Sequence, residues 1–125
     1  TVWRERMIPQ DPTPAELVRL LAECSNNIAK LSGLCAGYKS DMALKSTKLK
    51  REQAKALVRY ATAKNANLMK AQMETDESVM KAQDEYDTAC ATYTLAQAEL
   101  DSYSSHFIAL RKIVEMRKTE MQSGV

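Results

Sequence analysis

The chain has 125 residues, with 45% hydrophobic residues and a formal net charge of +2 at pH 7. This length allows one domain or one extended helical unit, and the few Gly and Pro residues favour helix. With only one Trp and one Phe, the chain has few of the large aromatic side chains that fill a compact core, so packing along helical seams is expected. No apolar run is long enough to cross a membrane and no signal peptide is evident, so we expect a cytoplasmic protein without membrane association.

The charges are unevenly distributed along the chain. Residues 39–70 contain nine Lys or Arg against Asp41 and Glu52, a net charge of +7. Residues 74–101 contain eight Asp or Glu against Lys81, a net charge of −7. Such an asymmetry between neighbouring segments indicates interaction faces, although the small net charge alone does not indicate a nucleic-acid partner.

The first 13 residues are predicted to form an N-terminal arm that contains prolines, followed by a helical domain over residues 14–121. The arm carries Trp3, which is expected to dock on the chain's own helices or on a neighbour, and the sequence leaves both open. Thr13 followed by Pro14 is a typical helix start, because Thr caps free N–H groups and Pro suits the first helical position. A first long helix is therefore predicted over residues 14–64.

The first half of this helix carries an apolar heptad seam. Gly33 and Gly37 lie in phase with the seam, which favours a continuous helix with a possible bend over residues 33–37, although a break near Gly37 is the alternative. Small residues four apart also allow close approach of another helix. The seam residues are Leu17, Leu21, Cys24, Ile28, Leu31, Cys35, Tyr38 and Met42.

The second half of the same helix carries a basic stripe. Five cationic residues lie within an arc of about 120° at 100° per residue: Lys45, Lys48, Arg51, Lys55 and Arg59. Such a stripe can follow a phosphate backbone with little sequence preference, and Tyr60 at its edge can stack on an unpaired base. These six residues are the predicted nucleic-acid-binding site. The alternative is that the stripe pairs with the acidic segment of the later helix in antiparallel fashion.

After a link at residues 65–75, a second long helix is predicted over residues 76–121, with Thr75 as its cap. Large side chains recur every seven residues from Val79 to Met121, which is the spacing of a heptad seam. Three residues after each of the first five come Ala82, Ala89, Ala96, Tyr103 and Leu110. At 1.5 Å per residue this helix is roughly 70 Å long, so much of its burial is expected on a partner. The predicted homo-oligomer interface is Val79, Tyr86, Tyr93, Leu100, Tyr103, Phe107, Leu110 and Val114.

No residue pattern indicates catalysis, a cofactor or a metal site. The three Cys residues have no metal-ligand spacing and are expected to be free thiols buried in the seams. His106 has no partnered nucleophile or carboxylate near it in sequence. Asp84, Glu85 and Asp87 spread around a helix axis and are expected to form a solvated face. The chain is therefore not expected to be an enzyme.

The segment Lys55-Ala56-Leu57-Val58-Arg59-Tyr60 resembles the Lys-Ala-x-x-x-Tyr core of phage recombination mediators of the UvsY type. Residues 78–84, 98–101, 107–113 and 116–117 resemble the C-terminal half of that family in the same order, so the resemblance covers roughly residues 39–120. Leu57 stands where the family has a second basic residue two places after the Lys, and Arg59, one turn after Lys55, would have to substitute for it.

The resemblance implies a small, all-helical, oligomeric protein that binds single-stranded DNA without catalysing a reaction, with Lys55 as a DNA contact. Members of this family help a recombinase load onto DNA coated by single-strand-binding protein, so both are implied partners and the host cytoplasm is the implied location. The alternative is a structural or adaptor coiled coil that binds only proteins. Both hypotheses share the predicted fold class, which is all-α with long helices that form a hairpin or coiled-coil unit in a homo-oligomer.

Overall fold

The computed structural model describes residues 11–122. Within that range the chain forms three helices and no strand: α1 (Pro14–Arg59), α2 (Ala66–Glu74) and α3 (Glu77–Gln122). The predicted all-α class is confirmed for this range. The predictions for the first ten residues, including the docking of Trp3, lie outside the described residues.

Helix α1 begins where the sequence predicts. The side-chain oxygen of Thr13 accepts a hydrogen bond of 3.2 Å from the Glu16 N–H, which satisfies one of the free donors of the first turn. The helix continues through Gly33 and Gly37 without a break. Among the described residues, a Cβ at either glycine would meet no atom within 4 Å beyond its chain neighbours and the adjoining backbone of α1, so neither glycine accommodates a second helix of this chain.

The two long helices end and begin at different residues from those predicted. Helix α1 ends at Arg59 rather than near residue 64, and the predicted link is mostly the short helix α2. Asn65 explains this local structure, because its side-chain oxygen accepts a hydrogen bond of 2.8 Å from the Leu68 N–H and caps α2. Thr75 lies at the C-terminal end of α2 instead of capping the next helix.

Asp76 is the residue that caps α3. One of its carboxylate oxygens accepts hydrogen bonds from the N–H groups of Ser78 and Val79, at 2.9 and 3.3 Å. A carboxylate at this position also interacts favourably with the positive end of the helix dipole. Helix α3 therefore begins at Glu77, one residue later than predicted.

The chain divides into two compact units. The terminal unit comprises residues 11–34 and 96–122 of the described range, and the central unit comprises residues 35–95. The core of the terminal unit is formed by Leu17, Leu20 and Cys24 of α1 with Leu110 of α3. Cys24 and Leu110 are 0% and 1% exposed, so this cluster excludes water.

The core of the central unit joins Leu49 and Ala56 of α1 to Val79 and Ala82 of α3. The two alanines are 0% and 1% exposed. Small side chains at these positions allow the two helices to approach closely, as the heptad pattern of large and small residues predicts. Tyr60, Met73 and Tyr86 pack around this cluster.

Candidate nucleic-acid interface

Three of the predicted cationic residues form a row on the exposed side of α1. Lys48, Arg51 and Lys55 are spaced by three and four residues, so they project from the same side of the helix. All three are exposed, and the side chains of Lys48 and Lys55 are exposed by 48% and 64%. We call these three residues the basic row. The row places three positive charges along about 10 Å of helix.

Two members of the basic row form ion pairs. Lys48 Nζ lies 2.8 Å from Glu85 Oε2 on α3, and Lys55 Nζ lies 3.3 Å from Glu52 Oε1 in its own helix. Arg51 forms no ion pair with any residue in the range 11–122. The hydrogen bond from Lys48 is the largest cause of the lowered pKa of Glu85. Exposed pairs of this kind are weak, because water and salt screen both charges, so an incoming phosphate can replace the carboxylate.

Arg59 and Tyr60 both contact Asp76, and Arg59 is exposed whereas Tyr60 is half-buried. The Tyr60 hydroxyl donates a hydrogen bond of 2.7 Å to Asp76 Oδ2, and Arg59 lies 2.9 Å from the same oxygen. The Arg59 guanidinium also lies 5.9 Å from the centre of the Tyr60 ring. Stacking of a base on Tyr60 therefore competes with contacts that tie the end of α1 to the start of α3.

The contacts among Arg59, Tyr60 and Asp76 also shift the pKa of each of these three residues. The hydrogen bond from Tyr60 is the main cause of the lowered pKa of Asp76, and the Arg59 hydrogen bond lowers it further. The hydrogen bond to the Asp76 carboxylate raises the pKa of Tyr60 and of Arg59. The sequence analysis assigned the cap to Thr75 and did not predict the contacts of Asp76 with Tyr60 and Arg59, because these residues precede Asp76 by 16 and 17 positions. The available signal was an Asp directly before a helical pattern.

Lys45 lies in a different environment from the basic row. It is half-buried and lines an open groove of about 690 Å³ in the central unit, together with Tyr38, Asp41 and Glu85. Further lining residues on α3 include Lys81 and Asp84, so the groove carries charges of both signs. Lys45 is thus near carboxylates rather than on an open cationic surface.

The central unit contains both the basic stripe and much of the acidic segment. Residues 35–95 hold ten Lys or Arg and eight Asp or Glu. Interhelical ion pairs reach two of the five stripe residues, Lys48 and Arg59. Their partners Glu85 and Asp76 run in the opposite chain direction, so the two helices are antiparallel in this unit. The predicted antiparallel pairing of charges is therefore present in part.

The residues predicted as an oligomer interface lie largely within the cores of the two units. Val79 and Leu110 are buried, and Tyr86, Tyr103 and Phe107 pack against the two core clusters. The seam also includes two half-buried residues, Tyr93 and Leu100, and the exposed Val114. Most of these residues therefore take part in packing within the chain. A role of these residues between chains stays a prediction.

The structure also gives the positions of the other groups considered in the sequence analysis, which are the possible metal ligands, His106 and the cysteines. Within residues 11–122, no group of three or more His, Cys, Asp or Glu side chains is placed to hold a metal ion. His106 is 3% exposed in the terminal unit, away from bulk water. All three cysteines are free thiols, and burial is the main cause of the raised pKa of Cys24. None of the three helices is long and apolar enough to cross a membrane.

Comparisons with protein-family models, with curated proteins and with solved structures find no match to this chain.

Proposed function

We propose that this protein binds single-stranded DNA through the basic row, without catalysing a reaction, and that it acts as a homo-oligomer. The observation that supports the proposal is the row itself: Lys48, Arg51 and Lys55 share one exposed side of a regular helix. A rigid helix holds the three cations at fixed spacing, so neighbouring phosphates can contact them together. The neutral amide and hydroxyl groups of a typical protein surface offer no comparable attraction.

The energetics of phosphate binding fit this arrangement. Each Lys or Arg that neutralises a phosphate releases condensed counterions, so affinity falls as salt concentration rises. The ion pairs of Lys48 and Lys55 are exposed, so their replacement by phosphate has a small cost. Three contacts make a weak site, and an oligomer strengthens binding by presenting several rows to one strand.

The proposal assigns different roles to the six residues of the predicted site. The basic row contacts the phosphates, and Lys45 contributes to the electrostatic potential from its half-buried position. Arg59 and Tyr60 connect the end of α1 to the start of α3 through their contacts with Asp76. Binding by backbone charge alone is expected to show little sequence preference.

The preference for single-stranded DNA and the role as a recombination mediator rest on the sequence resemblance described above. In this proposal the protein helps a recombinase load onto DNA that is coated by single-strand-binding protein. Both proteins are then partners of this chain, and the host cytoplasm is the proposed compartment.

The decisive measurement is fluorescence anisotropy of a labelled single-stranded oligonucleotide, with the duplex of the same sequence as competitor. The test variant is Arg51→Ala/Lys55→Ala. The matched control is Lys39→Ala/Lys50→Ala, which removes the same charge from exposed positions elsewhere on α1. Each protein is titrated at several salt concentrations, and circular dichroism checks that every variant keeps its helix content.

The proposal expects the test variant to bind more weakly than the control, and the single strand to bind better than the duplex. Loss of two phosphate contacts is also expected to reduce the salt slope by about 1.4, at about 0.7 per contact. Equal affinity of the test and control variants refutes the assignment of the basic row. Absence of salt-dependent binding by the wild type refutes DNA binding altogether.

A second candidate function is that of a helical adaptor that binds only proteins. The observation that favours it is a set of exposed apolar residues on α1: Leu44, Leu57 and Val58 are exposed by 69%, 48% and 78%. The ion pair of Lys48 with Glu85 also reduces the cationic character of the surface. This candidate predicts no gel shift with single-stranded DNA at low salt, whereas the first candidate predicts a shift.

A further inference from the structure

The open groove of about 690 Å³ in the central unit lies between α1 and α3. From α1 it is lined by Tyr38, Asp41 and Lys45, whose spacing of three and four residues places them on one side of the helix. From α3 the lining includes Met80 and Ala89. Clefts of roughly 300–1,000 Å³ with apolar walls and a few polar groups are typical sites for small molecules. The groove is therefore large enough for a flat ring such as a nucleobase.

The surfaces of the groove suit a ring that carries amino groups. Tyr38 is half-buried and Met80 is 50% exposed, so an aromatic ring and a flexible thioether are both accessible for stacking. Four carboxylates and two ammonium groups also line the groove: those of Asp41, Glu77, Asp84 and Glu85, and those of Lys45 and Lys81. The excess of carboxylates disfavours a phosphate inside the groove. It favours a neutral ring whose amino group donates a hydrogen bond.

Glu85 connects this groove to the basic row. It lines the groove, and its Oε2 lies 2.8 Å from Nζ of Lys48 in the row. Lys45 lies three residues before Lys48, or about 4.5 Å along the helix axis. The hydrogen bond from Lys48 is the largest cause of the lowered pKa of Glu85, and the charges of Lys45 and Lys81 lower it further, so Glu85 is ionised at neutral pH. A strand whose phosphate contacts Lys48 therefore has the groove within reach of an adjoining base.

We propose that this groove is a base subsite, which holds one base of the single strand whose phosphates contact the basic row. A phosphate that binds Lys48 replaces the carboxylate of Glu85, which then accepts a hydrogen bond from the amino group of the base in the groove. Tyr38 stacks on the same base. The exchange leaves every charged group with a partner, because the phosphate takes the lysine and the base takes the carboxylate.

The subsite distinguishes a base with an amino group from a base with a carbonyl group at the same position. A carboxylate accepts a hydrogen bond from the amino group of cytosine, whereas uracil has a carbonyl oxygen there, which is itself an acceptor. Two acceptors that face each other repel. Phosphate contacts alone carry little sequence information, so a preference of this kind comes from the groove.

The base subsite rests on the proposed function, because it takes a base from the strand that the basic row binds. The two are nevertheless separable by experiment. Loss of binding to every oligonucleotide refutes both, whereas salt-dependent binding without a base preference refutes the subsite alone.

The first test compares labelled single strands of deoxycytidine and of deoxyuridine, equal in length, by fluorescence anisotropy at one salt concentration. The wild type is expected to bind the deoxycytidine strand roughly tenfold more tightly, because a hydrogen bond to a charged group typically changes affinity by at least that factor. Glu85→Gln is expected to bind the two strands equally, because an amide both donates and accepts hydrogen bonds.

The matched control for this test is Glu52→Gln. Glu52 pairs with Lys55 of the basic row at 3.3 Å, as Glu85 pairs with Lys48, but among the described residues it is not part of the groove lining. Both variants remove one carboxylate beside the row, so both are expected to strengthen phosphate binding, and only Glu85→Gln is expected to lose the base preference. An unchanged preference in Glu85→Gln, or its loss in Glu52→Gln as well, overturns the subsite.

The second test locates the base by photo-crosslinking. A single strand with one 5-iodocytosine is irradiated with the wild-type protein, and mass spectrometry identifies the crosslinked residue, which is expected to be Tyr38. A crosslink confined to other residues, such as Tyr60, or no crosslink at all overturns the subsite.

Substitution of Tyr38 tests the stacking contact. Tyr38→Ala is expected to weaken binding of the deoxycytidine strand by roughly tenfold through the loss of one stacked base, whereas Tyr38→Phe keeps the ring and is expected to bind like the wild type. Wild-type affinity in Tyr38→Ala, or a Tyr38→Phe variant as weak as Tyr38→Ala, contradicts stacking on this ring.

Discussion

Replacement of Leu110 by Ala tests whether the terminal unit is held together by its small apolar core. Leu110 is 1% exposed and packs with Leu17, Leu20 and Cys24. The change removes three carbon atoms, and each buried CH₂ contributes about 0.8 kcal/mol, or about 2.4 kcal/mol in total. The cavity left between the two helices adds to this loss, so we expect a decrease in unfolding free energy of about 3–5 kcal/mol.

The assay is urea unfolding followed by circular dichroism at 222 nm, with Ile108→Ala as the matched control. Ile108 is a similar side chain in the same turn of α3, but it is 55% exposed. Its replacement is expected to change the unfolding free energy by less than about 0.5 kcal/mol, because little apolar area is lost from the interior. If the two variants lose the same stability, Leu110 is not in a closed core and the packing described for the terminal unit is refuted.

Three further predictions follow from single residues. Gly33→Ala is expected to stabilise the protein by about 0.5–1 kcal/mol in thermal unfolding, because the site is open and α1 gains helix propensity. A destabilised variant contradicts the open site. The pKa of Asp76 is lowered in the folded state, chiefly by the Tyr60 hydrogen bond, so its charge stabilises the fold above its unfolded pKa and this contribution disappears as pH falls through the folded value. Asp76→Asn, which keeps the cap, should therefore be less stable than wild type in urea at pH 7, and this difference in stability should disappear as pH falls below the usual range of an aspartate pKa. Cys90 is partly exposed whereas Cys24 is buried with a raised pKa, so mass spectrometry after brief alkylation of the native protein should find Cys90 modified first. Equal rates contradict the burial of Cys24.

Several features of the fold could be predicted from sequence because they depend on neighbouring residues. The start of α1 at Pro14 follows from Thr13, whose side chain caps the first turn. The burial of Leu17 and Cys24 follows from their seven-residue spacing, since residues that share one side of a helix are buried together. Helical periodicity also predicted that Arg51 and Lys55 share an exposed side of α1.

The end of α1 could not be predicted in the same way. No Gly or Pro lies between residues 59 and 65, so the local sequence permits the helix to continue. Arg59, the last residue of α1, and Tyr60 after it both bind Asp76, a residue that the chain supplies after another helix. An interaction over this sequence distance leaves no local pattern.

The sequence by itself determined the helical class, the apolar spacing and the separation of basic from acidic segments, because each depends on residue type and a fixed period. Only the tertiary structure decided which of the predicted cationic residues remain available to contact a ligand. Glu85 pairs with Lys48, Asp76 holds Arg59, and Lys45 is half-buried, while Arg51 stays exposed. The physical reason is that a charge's surroundings depend on which face of a second helix packs beside it, and periodicity in one helix carries no information about that face.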